Sequence, residues 1–94
     1  MRILIVDDEP GNNAYVARAL KEHETFSFTS PLEALKFAGE GTIDLAIVDQ
    51  RMAPLTGLEF VRRLKELQDD VAAIVVSAYT ERDDLIEAVN TSTI

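Results

Sequence analysis

The chain has 94 residues, 47% of them hydrophobic and 28% charged, which is the balance of a soluble globular chain and leaves room for one domain. The longest unbroken apolar run, Val71 to Val76, is far shorter than the roughly 20 residues of a bilayer crossing. Met1-Arg2 leads to Asp7-Asp8-Glu9 rather than to a cleavable apolar stretch, so neither a membrane span nor a secretory signal is expected and the setting is cytoplasmic. With no cysteine and a single histidine, His23, disulfides, thiolate chemistry, zinc-thiolate sites and histidine-rich metal sites are excluded or disfavoured. Seventeen acidic against nine basic residues give a net charge of −8. That charge argues against gripping nucleic acid and favours a cation or a basic partner.

In chain order, Arg2-Ile3-Leu4-Ile5-Val6 is an apolar run without alternation, the pattern of a strand buried on both faces in a parallel sheet. It stops at Asp7, Asp8 and Glu9. From Asn12 to Glu22, Tyr15, Val16, Ala17 and Leu20 share a broad helical face, with Asn12 or Asn13 available as cap. Thr25 to Thr29 alternates, as a strand near a sheet edge does. Ser30-Pro31 offers a cap and a first-turn proline to a helix carrying Leu32, Ala34, Leu35 and Phe37, and Gly39 and Gly41 end it. Ile43 to Val48 is the next strand and again stops on an acid, Asp49. After a loop with Pro54 and Gly57, an amphipathic helix carries Leu58, Phe60, Val61, Leu64 and Leu67. Val71 to Val76 is the fourth strand, ending at Ser77, and a last helix is expected around Leu85, Ile86, Ala88 and Val89. Strict strand-helix alternation predicts an α/β domain with a parallel sheet and helices on both faces.

In such a doubly wound sheet the binding crevice lies beyond the carboxyl ends of the strands, where the strand order reverses. Asp7, Asp8 and Asp49 all stand at strand ends. If the first and third strands are neighbours, three carboxylates converge and repel, and a hard divalent cation would relieve the repulsion. Mg²⁺ suits oxygen ligands and one or two carboxylates. Any one of these acids could equally be a helix cap or turn former; the three together with Ser77 point to a site. No glycine-rich phosphate cradle and no nucleophile elbow occurs. What remains is a carboxylate able to attack phosphorus, a cation to offset phosphoryl charge and a hydroxyl to bond an oxygen.

This constellation resembles the receiver domain of bacterial two-component response regulators. The resemblance is carried by Ile3-Leu4-Ile5-Val6-Asp7-Asp8-Glu9, Asp44-Leu45-Ala46-Ile47-Val48-Asp49, Met52 and Gly57, and Val75-Val76-Ser77-Ala78. It implies a flavodoxin-like fold of strand order 2-1-3-4 and a role as phosphoacceptor, a switch rather than a turnover enzyme. Asp49 would take a phosphoryl group from a histidine kinase or phosphotransfer protein. Asp8 and Asp49 would ligate Mg²⁺, Asp7 mainly through water, with the main-chain carbonyl of Arg51 a further ligand. Ser77 would hydrogen-bond the phosphoryl group and act in the switch. The Arg51 and Tyr79 side chains would border the site and modulate hydrolysis, although Tyr79 could equally pack within its loop. An output domain would belong to the full-length protein.

Two departures from the family pattern stand out. Ala53 occupies the place where members commonly have proline, and Pro54 follows one residue later. Receivers also close with a fifth strand, whose terminal lysine pairs with the phosphoryl group, and a fifth helix. Here Lys21, Lys36 and Lys65 all fall on predicted helices, and Ile94 falls at or just before the start of that strand. Residues 1–94 are therefore expected to be a receiver domain that is incomplete at its C-terminus, with the fourth strand an exposed edge and self-association favoured. Two alternatives are a degenerate receiver acting through protein contacts and a Mg²⁺-dependent aspartyl phosphohydrolase. The latter wants a second acid at position 51, where Arg51 stands. His23, Phe26, Phe28 and the Arg62-Arg63-Lys65 cluster are expected to be surface, packing and solvated-face residues respectively.

Overall fold

The computed structural model describes residues 1–79 and 85–90, with side chains described through residue 76. Its elements are β1 (Arg2–Val6), α1 (Pro10–Ala19), β2 (Glu24–Phe28), α2 (Pro31–Ala38), β3 (Leu45–Asp49), α3 (Gly57–Leu67), β4 (Ala72–Tyr79) and β5 (Leu85–Asn90). The sheet order is β2-β1-β3-β4-β5. The first four strands run parallel, as the alternation of strand and helix signals requires, while β5 pairs antiparallel with β4.

β1 lies between β2 and β3, and the burial of Ile3, Leu4, Ile5 and Val6 reflects that central place. Side chains of successive residues point to opposite faces. Leu4 and Val6, Ala46 and Val48, and Ala73 and Val75 therefore share one face, which packs against Ala34 and Ala38 of α2 and Phe60, Val61 and Leu64 of α3. Phe60 and Leu64 are wholly buried, and each contributes roughly 1.5–3 kcal/mol relative to an exposed side chain. At the β2 edge, Phe26 and Phe28 lean on Phe37, with ring centroids 4.8 and 5.2 Å away. Their packing role follows from the sequence pattern, and His23 is exposed as expected. Arg62 and Arg63 are solvated, but Lys65 departs from that reading: its Nζ donates to the Val71 carbonyl at 2.7 Å, tying α3 to the start of β4.

The opposite face carries Ile3 and Ile5, both buried, and the half-buried Leu45, Ile47, Ala72, Ile74 and Val76. α1 lies on this side. Its start differs from the expected one: Glu9 is the N-cap residue and Pro10 opens the helix, so Asn12 and Asn13 lie within it rather than capping it. A proline at the first turn costs no hydrogen bond, which is why the helix can start earlier than the apolar pattern shows. Tyr15, expected on the packed face, is 73% exposed, and the buried residue of α1 is Asn13.

The remaining helix ends follow local chemistry. Ser30 Oγ accepts from the Glu33 N–H, and Thr56 and Glu59 form a reciprocal capping box at the start of α3. The expected last helix is corrected by the structure: Leu85–Asn90 is a strand. Its pairing supplies hydrogen-bond partners to the β4 main chain, so β4 is not the exposed edge anticipated from the sequence. Leu85, Ile86, Ala88 and Val89 fit a helical stripe, yet the six-residue stretch is too short for periodicity to outweigh an unpaired neighbouring strand.

Candidate functional site

β1 connects to β2 on one side and, after α2, the chain crosses over to place β3 on β1's other side. The strand order therefore reverses between β1 and β3, and the crevice of the fold opens beyond their carboxyl ends. Val6 pairs with Val48, so the residues that follow them, Asp7 and Asp49, stand at one level at the end of the sheet. Parallel register thus converts two distant acids into neighbours.

Carboxylate oxygens of Asp7, Asp8 and Asp49 lie within 4.8 Å of one another. Asp7 and Asp49 are half-buried and Asp8 is exposed. The carboxyl of Asp49 is pushed above its ordinary pKa of 3.8, chiefly by burial and then by the charges of Asp7 and Asp8. Main-chain N–H groups of Arg51 and Gln50 bond the same carboxylate and pull in the opposite direction without cancelling the rise. Three hard oxygen donors that raise the proton affinity of one member form a donor set that fits a divalent cation of the Mg²⁺ kind.

Asp7 and the strand end that carries Asp49 are held by their neighbours. Asp7 Oδ1 accepts from the Glu9 N–H at 3.0 Å and Asp7 Oδ2 from Asn12 Nδ2 at 3.2 Å. Asn13 Nδ2 donates to the main-chain carbonyls of Asp7 and Phe28 at 3.0 and 3.2 Å. On the other wall, the Gln50 N–H donates to the Val76 carbonyl at 2.9 Å, extending the β3–β4 ladder past Asp49. The Gln50 side chain then accepts from the Leu58 N–H at 3.0 Å and its carbonyl from the Gly57 N–H at 3.1 Å, locking the start of α3 to the end of β3. Gly57 is required by this closeness: a Cβ there would sit 2.7 Å from the Asp49 carbonyl oxygen and 2.9 Å from Gln50 Cα. The intervening loop buries Met52 and Leu55, leaves Arg51 exposed and contains a cis Ala53–Pro54 bond. The displaced proline therefore leaves the Gly57 contact intact.

The structure brings Asp7, Asp8 and Asp49 together, with Arg51 two residues beyond the last. Ser77 and Tyr79 belong to β4, Ser77 directly after Val76, the partner of Asp49. Their side chains lie outside the described residues, as do those of Leu85 to Asn90. Sequence reasoning missed Asn12, Asn13 and Gln50 as supports of the acids. The adjacent asparagines following the acidic run were the available signal, and their capping preference offered a simpler explanation. Among the described residues no helix is long and apolar enough to cross a membrane.

A doubly wound α/β domain with an acidic, cation-suited cluster at its switch point defines the class. The chain belongs to the response regulator receiver domain family, whose model matches residues 3–93. Members are regulatory phosphoacceptor domains of two-component systems. The hydrogenase transcriptional regulatory protein HoxA of Cupriavidus necator is 34% identical over 94% of this chain, and the chain spans only 18% of that protein's length. Sporulation initiation phosphotransferase F of Bacillus subtilis is 28% identical over 93% of this chain and 72% of its own length. The response regulator TrrA of Thermotoga maritima, crystallised in complex with Mg²⁺-BeF, superposes with a TM-score of 0.77 at 36% identity, covering 89% of this chain and 76% of TrrA. The receiver domain of the hybrid histidine kinase CckA gives 0.74 at 30% identity, covering 80% of this chain and 73% of that domain. The fold shared with these proteins is the flavodoxin-like parallel sheet of order 2-1-3-4 expected from the sequence.

Proposed function

We propose that residues 1–94 act as one receiver unit in which Asp49 is the phosphoacceptor. The observation that carries this reading is the convergence of Asp7, Asp8 and Asp49 within 4.8 Å at the β1/β3 switch point. An Asp49 carboxylate oxygen attacks the phosphorus of a phosphohistidine on a histidine kinase or phosphotransfer protein. A P–O bond forms, the P–N bond breaks, and the imidazole leaves with its electron pair and takes up a proton, so Asp49 becomes an acyl phosphate. Asp8 and Asp49 would ligate Mg²⁺ directly, Asp7 through water, and the Arg51 main-chain carbonyl would add a fourth contact. The bound ion supplies positive charge opposite the oxygens of the transferring group. Ser77 donates a hydrogen bond to the phosphoryl group and so links the modification to movement of the β4 end. The side chains of Arg51 and Tyr79 border the site and set the rate of hydrolysis.

The regulatory role of relatives such as HoxA, together with the small share of that protein that this chain spans, supports an output domain elsewhere in the full-length protein and a cytoplasmic setting. The half-buried Leu45, Ile47, Ile74 and Val76 support self-association of the 94-residue chain, which sedimentation would report as a mass above the monomer.

The test is incubation with Mg²⁺ and acetyl phosphate, followed by intact mass measurement. One phosphoryl increment that disappears in Asp49→Asn is the expected result. Rapid multiple turnover of the donor without an adduct would instead mark a phosphohydrolase, and no adduct at all would leave an interaction module.

A further inference from the structure

The buried residue of α1 is polar: Asn13 is 5% exposed on the side of the helix that meets the sheet. Its orientation is fixed, because Nδ2 stands 3.0 and 3.2 Å from the carbonyl oxygens of Asp7 and Phe28. Turning the amide over would set oxygen against two oxygens. Oδ1 is thereby forced into the interior, where it has no hydrogen-bond partner among the described residues. An apolar side chain there would leave no unpaired Oδ1 but would withdraw the amide donor from the Asp7 carbonyl; asparagine keeps that bond at the expense of a buried, unpaired oxygen. Local rules of this kind are broken where function requires it.

What the amide gains is position. The Asp7 carbonyl belongs to the peptide that carries Asp8, and the Phe28 carbonyl also accepts the Asp7 N–H at 3.1 Å. One side chain thus ties the end of β1, the end of β2 and helix α1 at the residues that present the first two acids. Asn12, one residue earlier, holds the Asp7 carboxylate itself. Asn13, Asp7 and Asp49 line one cleft of ≈ 350 Å³ between α1 and the β1–β3 ends.

We propose that Asn13 is a positioning residue: its side-chain amide clamps the β1 and β2 ends so that Asp7 and Asp8 are held in place for a divalent cation. This rests on the cation-binding reading above, and the test separates the two. In Asn13→Leu, amide hydrogen exchange followed by NMR on the metal-free chain should show the Asp7 N–H exchanging at least about tenfold faster, with the Leu4 and Ile5 amides unchanged. Calorimetric titration should show Mg²⁺ binding about tenfold more weakly, as loss of an outer-shell support does. Asn13→Ala, which removes the amide without adding bulk, should give the same exchange and binding pattern. Unchanged Asp7 exchange in both variants would overturn the proposal, as would unchanged Mg²⁺ affinity beside a parent that binds the ion. A parent that fails to bind Mg²⁺ would overturn the cation-binding reading, and with it the cation role of the clamp, even if Asp7 exchange accelerates.

Discussion

Replacing Asp49 by asparagine should make the metal-free domain more stable. The substitution keeps the shape of the side chain and an oxygen to accept from Gln50 and Arg51, but removes the charge that burial, Asp7 and Asp8 all disfavour. Of the three pairwise repulsions in the cluster, two involve Asp49. At the 4.8 Å limit that bounds the oxygens, each pair is worth about 1 kcal/mol in bulk water and about 3 kcal/mol at an effective dielectric of 20. Asp49 is only half-buried and Asp8 is exposed, so the solvent-screened end applies, giving roughly 1–2 kcal/mol for the two pairs together. For a domain of this size that is a rise in melting temperature of about 4–8 °C per kcal/mol. The assay is thermal unfolding by circular dichroism at pH 7 in low salt with a chelator, repeated in Mg²⁺. Asp49→Asn should melt higher than the parent without the ion, and the gap should close or invert when Mg²⁺ stabilises the parent by mass action. The pH dependence has a definite sign. Because the folded carboxyl has a raised pKa, between its ordinary value of 3.8 and that raised value the folded state binds more proton than the unfolded one. Parent stability from this group therefore falls as pH rises through the window, and the penalty is full above it; the variant lacks this component. A variant that melts at or below the parent temperature in chelator would refute the reasoning, since the acids could not then be repelling one another.

Gly57→Ala should shift the urea midpoint downward by the equivalent of about 1–3 kcal/mol, because the new Cβ meets backbone atoms of Asp49 and Gln50 that cannot move aside cheaply; phosphorylation from acetyl phosphate should fall with it. Gln68→Ala should cost about 2–3 kcal/mol in the same titration. That side chain accepts from the Ile43 N–H at 2.8 Å and donates to the Ala38 and Gly41 carbonyls, both at 2.6 Å, closing the α2–β3 connection. Since Gln68 lies far from the acids in the fold, Mg²⁺ affinity of the folded variant should be unchanged, which calorimetry would check.

Much of this protein is written in local sequence. The unbroken apolar run before Asp7 declares a two-sided strand, Ser30-Pro31 declares a helix start, and the spacing of Phe60, Val61 and Leu64 declares the face of α3; side-chain period and backbone chemistry depend only on near neighbours. The acids at the strand ends are legible for the same reason, since parallel topology sends every strand end to one side of the sheet. Other features are decided only when distant segments meet. Whether Leu85–Asn90 is helix or strand depended on the β4 edge beside it, because six residues with four apolar ones are too few for their period to decide and pairing settles the difference. Asn13 reads as a cap in sequence and becomes an interior clamp because α1 starts at Pro10 and turns that residue toward two carbonyls. The sequence by itself therefore determined the order of elements and which residues carry charge at the strand ends. Only tertiary structure decided how closely the acids approach, how far burial and mutual repulsion raise Asp49, and which neutral side chains hold them there.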